Sequence, residues 1–522
     1  MMLNLFPPQN LTVRLTGTGK ALQADLAWLP PLRNASAVGG YLIERTTWWH
    51  GVPWASRILA GKPVKPCFLR DPAVVPNQIN EYRVLAVHKK VGAVPPVASF
   101  PAAVYGFAYL RYSEIVTELR AMARKNPDLC RLIDAGPASG KGYRIWCMVL
   151  GKDTSDNPDQ PGVFLAGNPH ASEVQGTDAL MGVLRESIRL YRKGDPNLRR
   201  IIDKVQTRVV PLYNPHGRKA HEEGCPFGFR KTHPPVLLPP PADPLEITYC
   251  WHADTSPGID PNRTFDVEWT KAAEACHRDP RSSCYPGKRP FAAPETQALV
   301  RMIQALCPQI SVHYHGPCGA SLYPGKWADG NTPPDTTLFV EVAREFAVRS
   351  AGPFSGEDAL RSPMPSSLAG VAQRWCYQQY YGAHLLPEGF HEQLFVNYEI
   401  IPITDHKSLE DLITNNLEAF KWLGRRVLGA GLIVRVKDPR GKPLGAAVEV
   451  VGNMDKHCAP QHADRKHGTY RRLLMPGRYT VRVSHPGFRT ALFRKVLVRH
   501  ERSTLLETVL VKVASKNRKA QS

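Results

Sequence analysis

The sequence predicts a multidomain chain in which a central α/β domain is flanked by two small β-sandwiches. Three observations carry that prediction. Residues 8–102 and 430–513 alternate apolar with polar side chains over short runs broken by Pro, Gly and polar turns. Residues 107–427 instead interleave apolar strand-like runs with segments of helical periodicity. The length, 522 residues, exceeds that of one ordinary domain. A basic tail, 514–522, follows the last sandwich.

Composition narrows the class. Hydrophobic residues make up 43% and charged residues 22%, which excludes a fibrous or wholly disordered chain. Mean hydropathy is −0.30 and no run of 18 apolar residues occurs, so no membrane span is expected. The 67 Lys and Arg outnumber the 46 Asp and Glu, for a net charge of +21. Such a surface attracts anions of several kinds, acidic glycans among them. No nucleic-acid motif accompanies the charge, so no specific nucleic-acid partner is expected. The 11 cysteines contain no CxxC pair, which argues against a structural zinc ribbon. Met1 to Asn10 has neither a basic leader region nor a long apolar one, so no signal peptide is legible.

In the first segment, Leu11–Arg14, Leu22–Trp28, Tyr41–Arg45 and Glu81–Val87 read as strands. Trp28 followed by Pro30-Pro31, then Gly40-Tyr41 and Tyr82-Arg83-Val84, resembles a fibronectin type III module. Trp28 and Tyr82 are core residues under that reading. In the middle segment, Ser113–Lys125 is an amphipathic helix, with Ile115, Leu119 and Met122 on one face. Gly162–Gly167 is an apolar strand, Asp178–Tyr191 a helix, Val205–Leu212 a strand, Pro294–Leu306 a helix and Ile310–His315 a strand. In the last segment, Leu432–Val436, Ala447–Val451 and Tyr479–Val483 are strand candidates.

The strongest chemical signal is Gly167-Asn168-Pro169-His170-Ala171-Ser172-Glu173, between an apolar strand and a helix. A His and a Glu three residues apart on such a turn aim at one point, and imidazole nitrogen with carboxylate oxygen suits zinc. The pair alone is common in chains that bind no metal. A catalytic zinc needs a third protein ligand and an open position. Ile310-Ser311-Val312-His313-Tyr314-His315 offers two histidines. Strand side chains alternate with period 2, so His313 and His315 share a face and periodicity does not choose between them.

The middle segment resembles a zinc metallocarboxypeptidase of the carboxypeptidase A/B and N/E type. His170 to Glu173 matches the family's HxxE, and Tyr213-Asn214-Pro215-His216-Gly217 resembles its Asn-Pro-Asp-Gly turn with His216 in place of Asp. Phe229-Arg230-Lys231-Thr232 resembles Trp-Arg-Lys-Thr, and Gly258 to Asp266 is similar to Gly-Val-Asp-x-Asn-Arg-Asn-Phe-Asp. Phe291 to Ala298 resembles Phe-Ser-Glu-Pro-Glu-Thr-x-Ala. The family's third ligand lies eight residues before Tyr-Pro, which selects His315 ahead of Tyr323-Pro324 and leaves His313 as a packed neighbour. Asn397-Tyr398-Glu399-Ile400 resembles the stretch that carries the general base.

The resemblance implies an α/β/α domain with a mixed sheet and one zinc ion per chain held by His170, Glu173 and His315. It implies Glu399 as general base, Arg230 as oxyanion stabiliser, and Asn262 with Arg263 as the grip on a substrate's terminal carboxylate. The activity implied is hydrolysis of the C-terminal bond of peptides or proteins, with a preference for C-terminal Lys or Arg from the N/E likeness. The family's lid Tyr is displaced: counting back from Glu399 gives Tyr377, whereas motif alignment gives Ser366. The lid Tyr is thus unassigned: Tyr377 is the substrate-binding candidate, and Tyr380, Tyr381 or no residue at all are the alternatives. Tyr470 to Tyr479 and Ser484 to Phe488 are similar to the transthyretin-like domain that follows the catalytic domain in N/E enzymes. These module types lead to the expectation of a secreted or periplasmic chain. Two rivals remain: a zinc amidohydrolase acting on cell-wall or isopeptide bonds, and a catalytically weak binding protein whose basic surface holds glycan or matrix.

Overall fold

The computed structural model describes most of residues 5–513. The longest stretches outside the described residues are 223–229, 234–257, 272–279, 352–362, 389–405 and 514–522.

The N-terminal strands are β1 (Gln9–Thr16), β2 (Gln23–Leu29), β3 (Val38–Trp49), β4 (Val52–Ile58), β5 (Phe68–Asp71), β6 (Ile79–His88), β7 (Val97–Ala98) and β8 (Ala102–Tyr105). They form a three-stranded sheet, β1-β2-β5, and a five-stranded sheet, β4-β3-β6-β7 with β8 also on β6. Alternation produces the core as expected: Ala24, Leu26 and Trp28 of β2 and Tyr82, Val84 and Ala86 of β6 are all buried. Trp28 and Tyr41 meet edge to face, with ring centroids 5.5 Å apart.

The central unit holds helices α1 (Tyr112–Lys125), α2 (Gln175–Lys193), α3 (Pro196–Lys204), α4 (Pro215–Glu222), α5 (Pro294–Gln304), α6 (Thr336–Ala351) and α7 (His406–Leu428). Its strands are β9 (Cys130–Pro137), β10 (Arg144–Leu150), β11 (Gly162–Gly167), β12 (Gln206–Val210), β13 (Ile310–Tyr314), β14 (Ala320–Pro324), β15 (Pro363–Ser366) and β16 (Ala383–Glu388). They make one mixed eight-stranded sheet in the order β15-β14-β16-β13-β11-β12-β10-β9. β12, β11, β13 and β16 run parallel, while β9, β10 and β14 pair antiparallel with neighbours. Every residue of β11, β12 and β13 is buried, so both faces of the sheet's centre are covered. That explains why β11 reads as a continuous apolar run rather than as alternation. α7 packs against α2 and α6. Among the described residues no helix is long and apolar enough to cross a membrane.

The C-terminal strands are β17 (Gly431–Lys437), β18 (Ala447–Val450), β19 (Thr469–Leu473), β20 (Gly477–Ser484), β21 (Ala491–Val498) and β22 (Ser503–Val509). They form two three-stranded sheets, β19-β17-β22 and β18-β20-β21, around Leu432, Val434, Val436, Val448, Val481 and Val483. This unit is fastened to the central one by polar contacts. Arg472, with a fully buried side chain, donates to Asp335 at 2.9 Å and to the Asn453 carbonyl at 2.8 Å. The Trp327 indole donates to Asp455 at 2.6 Å, and Arg426 of α7 donates to the carbonyls of Ala430 and Leu474.

Candidate metal centre

The site is built at the carboxyl ends of two adjacent parallel strands. β11 and β13 pair in the register Ala166↔His313 and Gly167↔Tyr314. The chain leaving β11 at residue 168 and His315 just past β13 therefore emerge side by side, where open α/β sheets place their ligands. α2 must come close behind. A Cβ on Gly176 would lie 2.7 Å from that of Tyr314, so only glycine lets the helix approach β13 this closely.

His170, Glu173 and His315 converge, all buried, with one donor atom from each within 4.8 Å of the others. His170 Nδ1 lies 2.6 Å from Glu173 Oε1, and His315 Nδ1 lies 2.9 Å from Glu173 Oε2. The two Nδ1 atoms face each other at 3.3 Å. With the His170 Nε2 proton directed at Asp260, Nδ1 of the neutral His170 ring is a bare acceptor pressed against a carboxylate oxygen, with no proton between them. Glu173 Oε2 is buried and makes no hydrogen bond of good geometry. Both features fit a dication among the three side chains, and the nitrogen and oxygen donors fit zinc. Burial alone would raise the Glu173 carboxyl, but the adjacent His170 and His315 rings hold it well below its ordinary range.

Behind this group stands Asp260. Its Oδ1 accepts from His170 Nε2 at 3.0 Å and from the Asn262 N–H at 2.8 Å, and Arg230 reaches its Oδ2 at 3.2 Å. A carboxylate on the far nitrogen fixes the ring's tautomer, leaving Nδ1 bare for a metal. Burial opposes ionisation of Asp260, but His170 and the Arg230 and Arg263 guanidiniums hold it charged. In the sequence Asp260 stands inside a motif without a role of its own. The signal that finds it is the need of a metal-binding imidazole to have its second nitrogen oriented.

Arg230 is buried at the same point, with Nη2 2.9 Å from His170 Nε2 and Nη1 3.8 Å from Glu173 Oε1. Asn262 is also buried. Its Nδ2 lies 3.2 Å from His315 Nε2, and its Oδ1 accepts from the Ala372 N–H at 3.0 Å. Arg263 is held by its Nη1 donating to the Asn262 carbonyl. Thr296 of α5 ties this loop to the helix by donating to the Pro261 carbonyl. His313, which shares a face with His315, lies apart from the trio. Its ring is buried beside Phe164, its Nε2 is 3.3 Å from Ser311 Oγ, and burial pushes it down to about 3, so it stays neutral. Glu399, Tyr377 and Ser172 lie outside the described residues.

Two residues to which the sequence assigns no role hold the 168–174 turn. The Asn214 side-chain amide donates to the Pro169 carbonyl at 2.8 Å and to the Lys231 carbonyl at 3.1 Å. Arg218 of α4 is wholly buried and reaches Asn168 Oδ1 at 2.9 Å. His216, where the family has Asp, points elsewhere and packs against the rings of Tyr143 and His233.

Comparison with known proteins matches residues 115–381 to the zinc carboxypeptidase (Peptidase_M14) family model. The carboxypeptidase N catalytic chain of Mus musculus is 24% identical over 410 residues, covering 73% of this chain and 81% of its own. Carboxypeptidase M of Mus musculus is 21% identical over 399 residues, covering 73% and 79%. Among solved structures, a carboxypeptidase A from Helicoverpa armigera aligns at TM-score 0.47 and 15% identity, over 61% of this chain and 73% of that one.

Proposed function

This chain belongs to the zinc carboxypeptidase family and is a zinc metallocarboxypeptidase, and from that premise we propose that His170, Glu173 and His315 hold its zinc and Glu399 is its general base. The observation that carries the reading is the convergence of two imidazoles and one buried carboxylate inside the family-matched residues. When bound, zinc supplies Lewis-acid polarisation of a carbonyl and its attacking water.

The chain's own residues do the rest. Glu399 takes a proton from the attacking water and delivers it to the leaving amine. Arg230, held against Asp260, presents a fixed positive charge beside the metal group and stabilises negative charge developing on the carbonyl oxygen. Arg263 and Asn262 recognise the free α-carboxylate, a guanidinium being matched to bidentate contact with a carboxylate. Tyr377 contributes to substrate binding. The N/E likeness favours C-terminal Lys or Arg.

Flanking modules complete the proposal. Residues 8–102 form a fibronectin type III-like sandwich and 430–513 a transthyretin-like one. Each contains two sheets enclosing one apolar core, which supports the reading. Residues 430–513 hold 17 Lys and Arg against 6 Asp and Glu, roughly half the chain's net positive charge in a sixth of its length. The C-terminal unit is therefore the part that meets an anionic glycan or surface, in a secreted or periplasmic setting. Charge concentrated there also leaves the catalytic unit less repulsive to basic C-termini than +21 suggests.

The test is mass spectrometry of a peptide library with mixed C-termini, incubated with the protein with and without a zinc chelator. Chelator-sensitive loss of single terminal residues is expected, Lys and Arg first. Cleavage confined to internal or isopeptide bonds would replace the exopeptidase with an amidohydrolase. Zinc bound without any cleavage would leave a binding protein.

A further inference from the structure

We propose that Arg218 is a positioning residue for the metal, its guanidinium clamping both ends of the 168–174 turn onto the segment through which the chain enters the catalytic unit. The proposal rests on the metallocarboxypeptidase reading and deepens it, since it concerns how tightly that site holds zinc.

The turn carries two of the three proposed ligands and has an unfavourable beginning. Asn168 has φ 57°, a left-handed conformation that a non-glycine residue keeps only when its surroundings hold it. Its side chain is what is held. The Asn168 Oδ1 accepts from Arg218 Nη1 at 2.9 Å, while its Nδ2 donates to the carbonyl of His170. The amide thus relays the guanidinium to the backbone of the first ligand. At the far end, the same Nη1 lies 3.4 Å from the carbonyl of Val174, the residue after Glu173. One nitrogen therefore spans the turn from before His170 to after Glu173.

The rest of the fork faces away from the site. Nη2 donates to the carbonyl of Leu110, and Nε reaches Glu222 Oε1 at 3.3 Å. Glu222 also accepts from the Tyr112 N–H at 3.1 Å, and Asp178 accepts from the Leu110 N–H at 3.2 Å. The entering segment, 110–112, is gripped on both sides of its backbone, and Arg218 joins it to the turn. A guanidinium suits such a clamp because it keeps its charge when buried and its donors diverge from one plane in fixed directions. A lysine ammonium presents one nitrogen and cannot reach both ends of the turn together with Leu110.

A residue that only supports the fold would affect stability and leave zinc release alone. The decisive readout is therefore the zinc dissociation rate, followed by transfer to a chromogenic chelator, in a double-mutant cycle of Arg218→Met and Asn168→Gly. Glycine tolerates the positive φ and deletes only the relay. Each single variant should release zinc at least about tenfold faster than the parent. The double variant should be within about twofold of the faster single, because both cut one connection. Arg218→Lys should fall between parent and Arg218→Met. In peptide hydrolysis, kcat should fall while KM changes less than about twofold. Should Arg218→Met not fold, Asn168→Gly with Arg218→Lys forms the same cycle. Zinc release unchanged within twofold in the variants, or multiplying in the double variant, overturns the proposal alone. A parent protein that binds no zinc overturns both it and the metallocarboxypeptidase reading.

Discussion

Arg218 behind the metal-ligand turn and Arg472 at the seam with the C-terminal sheets are both removed from solvent, yet they are satisfied in different ways. Arg472 has a carboxylate at direct distance, Asp335 Oδ2 at 2.9 Å, and a carbonyl at 2.8 Å. Arg218 bonds mainly to amide and carbonyl oxygens, with Glu222 at 3.3 Å and Asp178 only at 3.8 Å. Burial pushes the Asp178 carboxyl up to about 7 despite that guanidinium, so it is partly protonated near neutrality. The first arrangement is a strut between two units. The second is a fork that sets the shape of a backbone. Buried ion pairs are weak evidence for net stability but strongly destabilising when half removed. Loss of Arg472 should therefore be felt by the whole fold, whereas the effect of Arg218 is local to the turn it spans.

The largest test of that division is His315→Ala, which should abolish zinc retention and hydrolysis while the seam holds the C-terminal sheets in place. Metal analysis, activity and circular dichroism on one sample would check it. Unfolding of the C-terminal sheets in this variant would break the separation. Glu399→Gln should lower the hydrolysis rate roughly 10²–10⁴-fold with zinc still bound, which metal analysis alongside kcat measures. Arg472→Met removes the guanidinium from buried Asp335 and should destabilise by roughly 3–5 kcal/mol, seen as a large fall in Tm by calorimetry. Its zinc release should match the parent.

A smaller effect concerns pH. Burial pushes the Glu295 carboxyl up to about 7, against hydrogen bonds from the Ser139 N–H and hydroxyl. Its ordinary value is 4.5, so between those values the folded chain binds more protons than the unfolded one. Stability contributed by this group thus falls as pH rises through that window, by roughly 3 kcal/mol in all. Glu295→Gln should flatten the fall of Tm between pH 4.5 and 7, and an unchanged slope would contradict the assignment. The smallest change expected is Trp327→Phe, which removes the donor to Asp455 but keeps a ring against His457, 4.8 Å away. A loss of roughly 1.5 kcal/mol at the seam follows, with zinc binding unaffected.

The parts of the molecule legible in the sequence are those written in short windows. Period-2 runs marked β2 and β6, and apolar runs ending in glycine or histidine marked β11 and β13. The HxxE pair lies within four residues, and the Tyr323-Pro324 spacing selected His315 by resemblance. Pairings across the chain left no local trace. β16 inserts between β13 and β14, which no connection length announces. Asp335 meets Arg472 across 137 residues, and Leu110 meets Arg218 across 108. Arg218 was opaque because no motif includes it, and only the fold buries it against the turn. Asp260 was in plain view and lacked only the question of what orients His170.

The seam at Arg472 also bears on how the protein is made. Asp335 leaves the ribosome 137 residues before its partner. At about 5–20 residues per second, the interval is roughly 7–27 s. During that time Trp327 and Asp335 wait without the indole acceptor and guanidinium they will bury. The catalytic unit is thus completed by its own C-terminal sheets late in synthesis, so slowing translation through residues 436–472 prolongs a nascent enzyme whose docking face is still open to water.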